Sequence, residues 1–393
     1  MHWTSCLSTS PDTSVAVSEV VDAVSAALGG VPNLVFVFAT RHHRVALPWL
    51  PGRLSKEFGH APLVGCSAGG VIAAGREVQD SPALAVVAAH LPGVEVAPFF
   101  LEPQEIPPPG TAASIWNARL GITKDTAPNF IVIPDPFTCR TGDFVHALDE
   151  AFPGAAVVGG MASGGSKPGE TSLLFGNEAH SDGVVGVALS GNIVVDTIIA
   201  QGCRPVGAPM FVTRGGGNVI TELDGRPPSQ VLQDLYASAP TRDQELMRSA
   251  LQMGVVMTKA QEIYRQGDFL IRDIIALDGQ SGAVSVATSV ETGQVVQFHI
   301  RDAQTSAEDL DKLLSERIQD TDPPAGALLF SCLGRGEGLY GEPDHDSLAF
   351  ARHTNAAPLG GFFCNGEIGP VAGRTHLHGY TSAFATFRRK RVD

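Results

Sequence analysis

The stretch LVGCSAGGVI, Leu63–Ile72, contains Gly65-Cys66-Ser67-Ala68-Gly69, a match to the G-x-S-x-G elbow that presents a nucleophilic serine in α/β-hydrolases. Two folds compete for it. Either Ser67 crowns a strand-to-helix turn, or the glycines answer to backbone geometry and the serine is incidental. A hydrolase elbow opens directly into a helix, whereas Ser67 runs into Gly69, Gly70 and Gly75, which are poor helix formers.

The rest of the chain decides between them. Three times an apolar strand is followed, about 30 residues on, by a second strand ending in small residues, the length of a βαβ unit. The first strands read NLVFVFAT, NFIVIPDP and ALLFSCLG, and the second strands APLVGCSAGG, AAVVGGMASGG and APLGGFFCNGEIG. Where the first copy has Ser67, the second offers Met161 or Ala162 and the third Phe362 or Phe363. The glycines recur and the serine does not, so the motif reads as tight turns and close backbone approach. Phe144, Val145, Leu148, Ala151 and Phe152 recur at helical spacing between the strands of the second unit. Pro48 and Pro51 predict a broken helix in the first.

Elsewhere ALAVVAAHLPGVEVAPFFL and GVVGVALSGNIVVDTIIAQGC each read as two strands joined by a turn, as antiparallel hairpins. So does Phe269–Asp302, with turns at Asp278-Gly279 and Thr292-Gly293. Helices are expected at Ser14–Leu28, Ser229–Ala237, Thr241–Leu251 and Ser306–Gln319, each opening near a capping side chain. The run Gly215-Gly216-Gly217 is the best candidate boundary. The expectation is an α/β chain of two mixed-sheet domains, 1–217 and 218–393, built from βαβ-like repeats plus antiparallel hairpins.

Composition narrows the function. The 393 residues are 44% hydrophobic and 17% charged, enough for a large core. With 41 acidic against 27 basic residues the net charge of -14 opposes binding to nucleic acid or anionic membrane. The basic tail Arg388-Arg389-Lys390-Arg391 reads as a solvated terminus. The start lacks the n- and h-regions of a signal peptide, and no apolar run reaches the length of about 18 residues that spans a bilayer, so a cytoplasmic protein without membrane insertion is expected. Six dispersed cysteines without a CxxC pair predict free thiols.

The phrases GCSAGGVI, VVGGMASGG, QGCRPVG, ELDGRPPSQVL, FHIRDAQTSAEDL, LLFSCLGRG and PLGGFFCNGEIGP, in that order, resemble a FIST protein with both its N-terminal and C-terminal domains. The resemblance implies an intracellular signal-transduction module that senses small ligands, amino acids or their derivatives being the usual proposal. Some FIST-like proteins are associated with haem and nitric-oxide sensing. Many sit beside a kinase, cyclase or chemotaxis output. This chain leaves no residues for one, which implies a signalling partner protein in trans.

Ligands of α/β sheets gather beyond the carboxyl ends of strands. In the third unit that region holds Cys332, Gly334 and Arg335 after one strand and Cys364, Asn365, Gly366 and Glu367 after the other. An amino-acid zwitterion needs a cation and an anion. Arg335 offers a fork, Glu367 an acceptor, Asn365 both donor and acceptor, and the glycines exposed amides. The bland alternative is that Arg335 and Glu367 brace each other. Cys66, Ser67 and Arg140 are candidates for an equivalent cleft in the first two units, and Arg204 in QGCRPVG is a further lone cation. Asp344-His345-Asp346, His376 and His378 make no zinc signature, and Gly336–Gly341 opens into EPDHDS rather than a helix, so no metal, haem or dinucleotide is predicted as a cofactor. An enzyme using Cys332, Cys364 or Ser67 as nucleophile with a histidine base, and a haem-based gas sensor, are the alternatives from other classes. Ligand binding would bias a domain arrangement or a homo-oligomer.

Overall fold

The run Leu34–Thr40 is buried at every position, the pattern of a strand covered on both faces. A computed structural model describes residues 1–122, 126–257, 263–264, 267–319 and 322–391. The chain forms two compact units, one of Met1–Ala200, Leu310–Leu377 and Thr381–Asp393, the other of Gln201–Asp309 with His378–Tyr380.

The first unit holds three six-stranded sheets with one common plan. The first runs β1 (His2–Ser8), β6 (Leu84–His90), β2 (Leu34–Thr40), β3 (Leu63–Ala68), β10 (Leu173–Phe175), β11 (Glu178–His180). The second runs β7 (Val94–Leu101), β12 (Val184–Gly191), β8 (Asn129–Pro134), β9 (Val157–Gly160), β23 (Glu367–Val371), β24 (Arg374–His378). The third runs β13 (Val194–Gln201), β25 (Thr381–Arg388), β21 (Gly326–Cys332), β22 (Leu359–Cys364), β4 (Gly70–Ala73), β5 (Arg76–Gln79). In each, the third and fourth strands are a parallel pair.

The chain then crosses between sheets. Beyond β3 it enters the third sheet, where β4 pairs antiparallel with β22. Beyond β22 it enters the second, where β23 pairs with β9. Beyond β9 it enters the first, where β10 pairs with β3. The exchange closes on itself. Each pair also shares one close contact: Gly65 lies opposite Val37, Gly159 opposite Val132 and Gly361 opposite Leu329. A Cβ on any of these glycines would overlap the facing carbonyl oxygen, which is why glycine recurs where the serine does not.

Alternation along the strands then builds four cores. Phe36, Phe38, Ile131, Ile133, Leu328 and Phe330 face a core common to the three sheets. Val35 and Val37 face α1 (Thr13–Leu28) and α2 (Leu50–Glu57). Phe130 and Val132 face α3 (Ala113–Leu120) and α4 (Thr141–Ala151). Ala327 and Leu329 face α9 (His345–Thr354) and Leu310 and Leu314 of α7 (Ala303–Gln319). The four-residue α8 (Glu337–Tyr340) precedes α9, so Gly336–Gly341 contains a short helical turn that its sequence did not suggest.

The second unit is one sheet in the order β14 (Cys203–Pro205), β20 (Val295–Arg301), β15 (Met210–Gly216), β16 (Val219–Leu223), β19 (Val284–Val286), β18 (Phe269–Leu277), β17 (Leu251–Val256). Because β17 also pairs with β20, the sheet closes into a barrel, a solution that removes exposed edges. Val212, Ile220, Met253, Val284 and Phe298 share its core with Val231 and Leu235 of α5 (Pro228–Ser238) and Met247 of α6 (Thr241–Ser249).

Several expectations are corrected. β6 and β7 are strands with a turn between them but no hairpin, since β7 pairs with β12. Likewise β12 and β13 lie in different sheets. The Asp278-Gly279 turn does join paired strands, β18 and β19, whereas β19 and β20 are not neighbours. Gly215-Gly216-Gly217 ends β15 and turns into its antiparallel partner β16, while the compact units meet along the chain after Ala200 and before Leu310. A local pattern of two strands and a turn does not say which partner each strand takes.

Gly159→Ala should therefore lower stability by about 3 kcal/mol in thermal unfolding, as overpacking against backbone does. Gly216→Ala, where a Cβ meets nothing within 4 Å, should stay within about 0.5 kcal/mol.

Candidate functional site

The parallel strands β21 and β22 end with Cys332 directly opposite Cys364. Counting along the three pairs from the shared glycine contact, Cys332 stands where Thr40 and Asp135 stand, and Cys364 where Ala68 and Ala162 stand. One step into the exchanged strands the contrast sharpens. Val71 pairs with Phe362 and Leu173 with Cys66, but the residue facing Gly160 at the matching position is Glu367. A carboxyl thus occupies a fully buried place that is apolar in the other two sheets, and such a substitution costs stability unless partners compensate.

Its partners are close. The Thr381 amide donates to Glu367 Oε2 at 2.9 Å, and the Cys364 thiol donates to Oε1 at 3.4 Å. Burial pushes its pKa up to about 7, against the Thr381 amide, the Cys364 thiol, the Arg335 charge and the Cys332 thiol. The Cys364 thiol is itself driven well above its ordinary range, by burial first and then by the Glu367 charge.

Arg335 is 1% exposed. Its Nε donates to Asp346 Oδ2 at 3.0 Å, and its Nη2 to Asp346 Oδ1 at 3.1 Å and to the Tyr340 hydroxyl at 2.5 Å. Asp346, on the first turn of α9, also accepts from Ser331 at 3.3 Å and from Ser382 at 2.5 Å. Burial opposes the Asp346 charge, but the guanidinium and the hydrogen bonds outweigh it and hold this carboxyl well below the ordinary range. The fork expected for a ligand carboxylate or for Glu367 is thus engaged by Asp346. Glu77 on β5 joins the cluster: it accepts from the Ser347 amide at 2.7 Å, its Oε2 has no hydrogen-bond partner, and burial followed by the Asp346 charge pushes it up to about 7.

Around this cluster Cys332 and Gly334 are half-buried, Gly366 is half-buried and Asn365 is exposed. The Asn365 amide donates to Met161 O at 3.1 Å and the Met161 amide to Gly366 O at 2.9 Å. The Gly334 amide points at Cys332 Sγ, 3.5 Å away. These residues and Glu367 are brought together.

Cys66, Ser67 and Arg140 are not. Cys66 lies in the common core with its thiol pushed far up by burial. Ser67 is 1% exposed and its Oγ accepts from the Ser172 amide at 2.8 Å, while Gly164 packs so closely on it that a Cβ there would overlap the hydroxyl. Arg140 is exposed and pairs with Asp143 at 2.9 Å. Arg204, in the second unit, reaches Asp302 at 2.8 Å and Asp243 at 2.5 Å, and the tail residue Arg391 pairs with Asp322 at 2.9 Å. Glu77 and Tyr340 escaped the sequence reading, and Asp346 entered it only as a weighed metal ligand. A signal existed for Asp346, because Asp346, Ser347, Ala349 and Phe350 line the buried face of α9.

Among the described residues no three His, Cys, Asp or Glu side chains gather as a metal ion requires. Three of the histidines are engaged by neighbouring side chains: His43 bonds Thr13 at 2.8 Å, His353 bonds Asp311 at 2.8 Å, and His345 stacks on Tyr340 beside Asp346. No helix among the described residues is long and apolar enough to cross a membrane.

Two stability predictions follow from the charges. Asp346→Ala, which strands a buried guanidinium, should cost about 3–5 kcal/mol in denaturant unfolding. Glu367 has a folded pKa above its ordinary 4.5, so the folded chain holds a proton that the unfolded chain has released. Its contribution is full below pH 4.5 and is lost as pH rises toward 7. Stability should fall less between pH 5 and 7 in Glu367→Gln than in the wild type, read as the difference in unfolding midpoint.

The FIST N domain profile matches residues 33–226 and the FIST C domain profile residues 228–370. The chain is 37% identical over 384 residues to an uncharacterized protein of Mycobacterium tuberculosis, covering 97% of this chain and 98% of that one. It is 35% identical over 382 residues to an uncharacterized protein of Mycobacterium bovis, covering 96% and 97%. With both profiles matched in order along most of its length, the chain belongs to the FIST family, whose domains are associated with signal transduction and small-ligand sensing.

Proposed function

We propose that this protein senses a small zwitterion, an amino acid or a close derivative, held at the carboxyl ends of β21 and β22, and reports it to a partner protein in trans. The observation that carries the reading is Glu367, a buried carboxyl at a position that is apolar in the other two sheets. An ammonium group is the natural complement of such a carboxyl, since it draws off the proton that burial retains. The ligand carboxylate is met by the amides of the Gly334 and Gly366 turns and the Asn365 side chain, with Arg335 supplying a fixed positive charge from beneath rather than an open fork.

The three parallel pairs support a reading of the first unit as one repeated element, of which the third copy was adapted to bind. The signal has a physical route. Glu367 begins β23, the strand that passes from the third sheet to the second, so a ligand that ionises it acts on the pairing between them. A homo-oligomer reading that change is part of the same proposal, and it requires that the ligand bind the two arrangements unequally.

Thermal unfolding of the protein with a panel of amino acids, their amides and keto acids tests this. A ligand at a hundred times its Kd should add about 2.7 kcal/mol, a shift of several degrees that Glu367→Gln abolishes. Affinity for that ligand should weaken about tenfold from pH 8 to pH 6, as a carboxyl titrating near 7 loses its charge. A shift with keto acids alone, or none with any zwitterion, would overturn the reading.

A further inference from the structure

We infer that Cys332 and Cys364 form a thiol–disulfide exchange site that takes low-molecular-weight disulfides, with Cys332 as the entry thiol and Cys364 as the resolving one. The inference stands apart from the identity of the ligand.

Four observations carry it. The two cysteines are register partners on adjacent parallel strands, so their Cα atoms are about 4.8 Å apart and their side chains leave the same face of the sheet. That spacing lies within the range of about 4.4–6.8 Å that a disulfide spans. Of the six cysteines, Cys332 is half-buried and the other five are buried, which makes Cys332 the point of entry. Glu367 lies against this pair: Cys364 donates to it at 3.4 Å, and Cys332 is among the groups that hold its pKa down against burial. In the other two parallel pairs the corresponding residues are Thr40 with Ala68 and Asp135 with Ala162, so of the three pairs the third alone carries a dithiol, and it carries it beside Glu367.

The step balances as follows. Glu367 takes the proton of Cys332, and the thiolate attacks one sulfur of the small disulfide. The S–S bond breaks, one small thiolate leaves and takes up the proton, and a mixed disulfide remains on Cys332. Glu367 then takes the proton of Cys364, whose sulfur attacks Cys332 Sγ and releases the second small thiol. Two protein thiols are oxidised to one disulfide, and the small disulfide is reduced to two thiols. The low thiolate content of buried Cys364 is tolerable in the second step because its target is held beside it. Opposed positions on neighbouring strands keep Cβ atoms about 5 Å apart, more than the 3.8 Å or so of a relaxed disulfide. Closing the bond therefore draws together the strand ends from which Leu333 donates to Cys364 O at 3.0 Å, and β23 with them.

Oxidised glutathione and the intact protein provide the test. The wild type should release two equivalents of glutathione and yield a cross-linked peptide pair containing Cys332 and Cys364. Cys364→Ala should stop at one equivalent, with glutathione retained on Cys332, and Cys332→Ala should release none. Glu367→Gln should slow the first release at least tenfold and remove the inflection near pH 7 from its rate profile, which a merely structural role would leave in place. An adduct confined to another cysteine, or folded wild type that releases no glutathione, would overturn the inference. So would Cys364→Ala that releases two equivalents. If a variant fails to fold, the wild-type stoichiometry and the mapped cross-link still decide the matter.

Discussion

Everything in the first unit depends on how closely two backbones approach at Gly65, Gly159 and Gly361. At each, the absent side chain lets a second parallel strand lie against the carbonyl of its neighbour, and from there each strand runs on into a different sheet. The exchange is stitched by short-range bonds at its centre. The Gly164 amide donates to Ser67 O at 3.0 Å, the Met161 amide to Gly366 O at 2.9 Å, and Ser163 bridges the Gly69 amide and Phe363 O at 2.9 and 2.5 Å. Buried backbone groups are rarely left unpaired, and here the pairing between sheets does the work that a turn does in a hairpin. Ser67 and Cys66, candidates in the sequence, thus sit within this packing and bonding, Ser67 accepting from the Ser172 amide and Cys66 lying in the common core.

The polar cluster at the end of the third pair is a second, dependent layer. A guanidinium with no access to water needs a carboxylate, and Asp346 meets it in bidentate fashion. Once that charge is neutralised, Glu77 and Glu367 have little further positive charge to lean on, and burial drives both toward neutrality. The site thus holds one carboxylate that stays ionised and two carboxyls poised to change state. That division follows from which group lies against the arginine and not from the intrinsic chemistry of three similar acids.

Much of this was legible in the chain of letters. The three strand pairs declared themselves by apolar runs at matched spacing, and the positions of Cys332, Cys364 and Glu367 followed from aligning their ends. Partner choice was not legible. The segments around Pro92-Gly93 and Gly191-Asn192 carry every local mark of a hairpin, yet their strands go to separate sheets because the neighbours that claim them lie far along the sequence. Barrel closure was hidden for the same reason, since β17 and β20 meet only after the intervening strands have turned through the sheet. Arg335 was read beside Glu367, and its salt bridge to Asp346 was missed, because that aspartate was weighed as a metal ligand beside His345 rather than as the buried face of a helix.

The cyclic exchange has a consequence for how the chain is made. Val71 pairs with Phe362, so a strand from the start of the first unit must wait for one synthesised near the end. The barrel residues, Gln201–Asp309, emerge between them as an interlude in the sequence. Contacts so distant carry a large loop-closure cost before they repay it. On the ribosome β4 and β5 therefore wait for β22, and the second sheet waits for β23 and β24, so the last strands to emerge lock the assembly rather than decorate it. A protein wired this way completes its native fold late, and truncating its C-terminal end removes strands from the second and third sheets together.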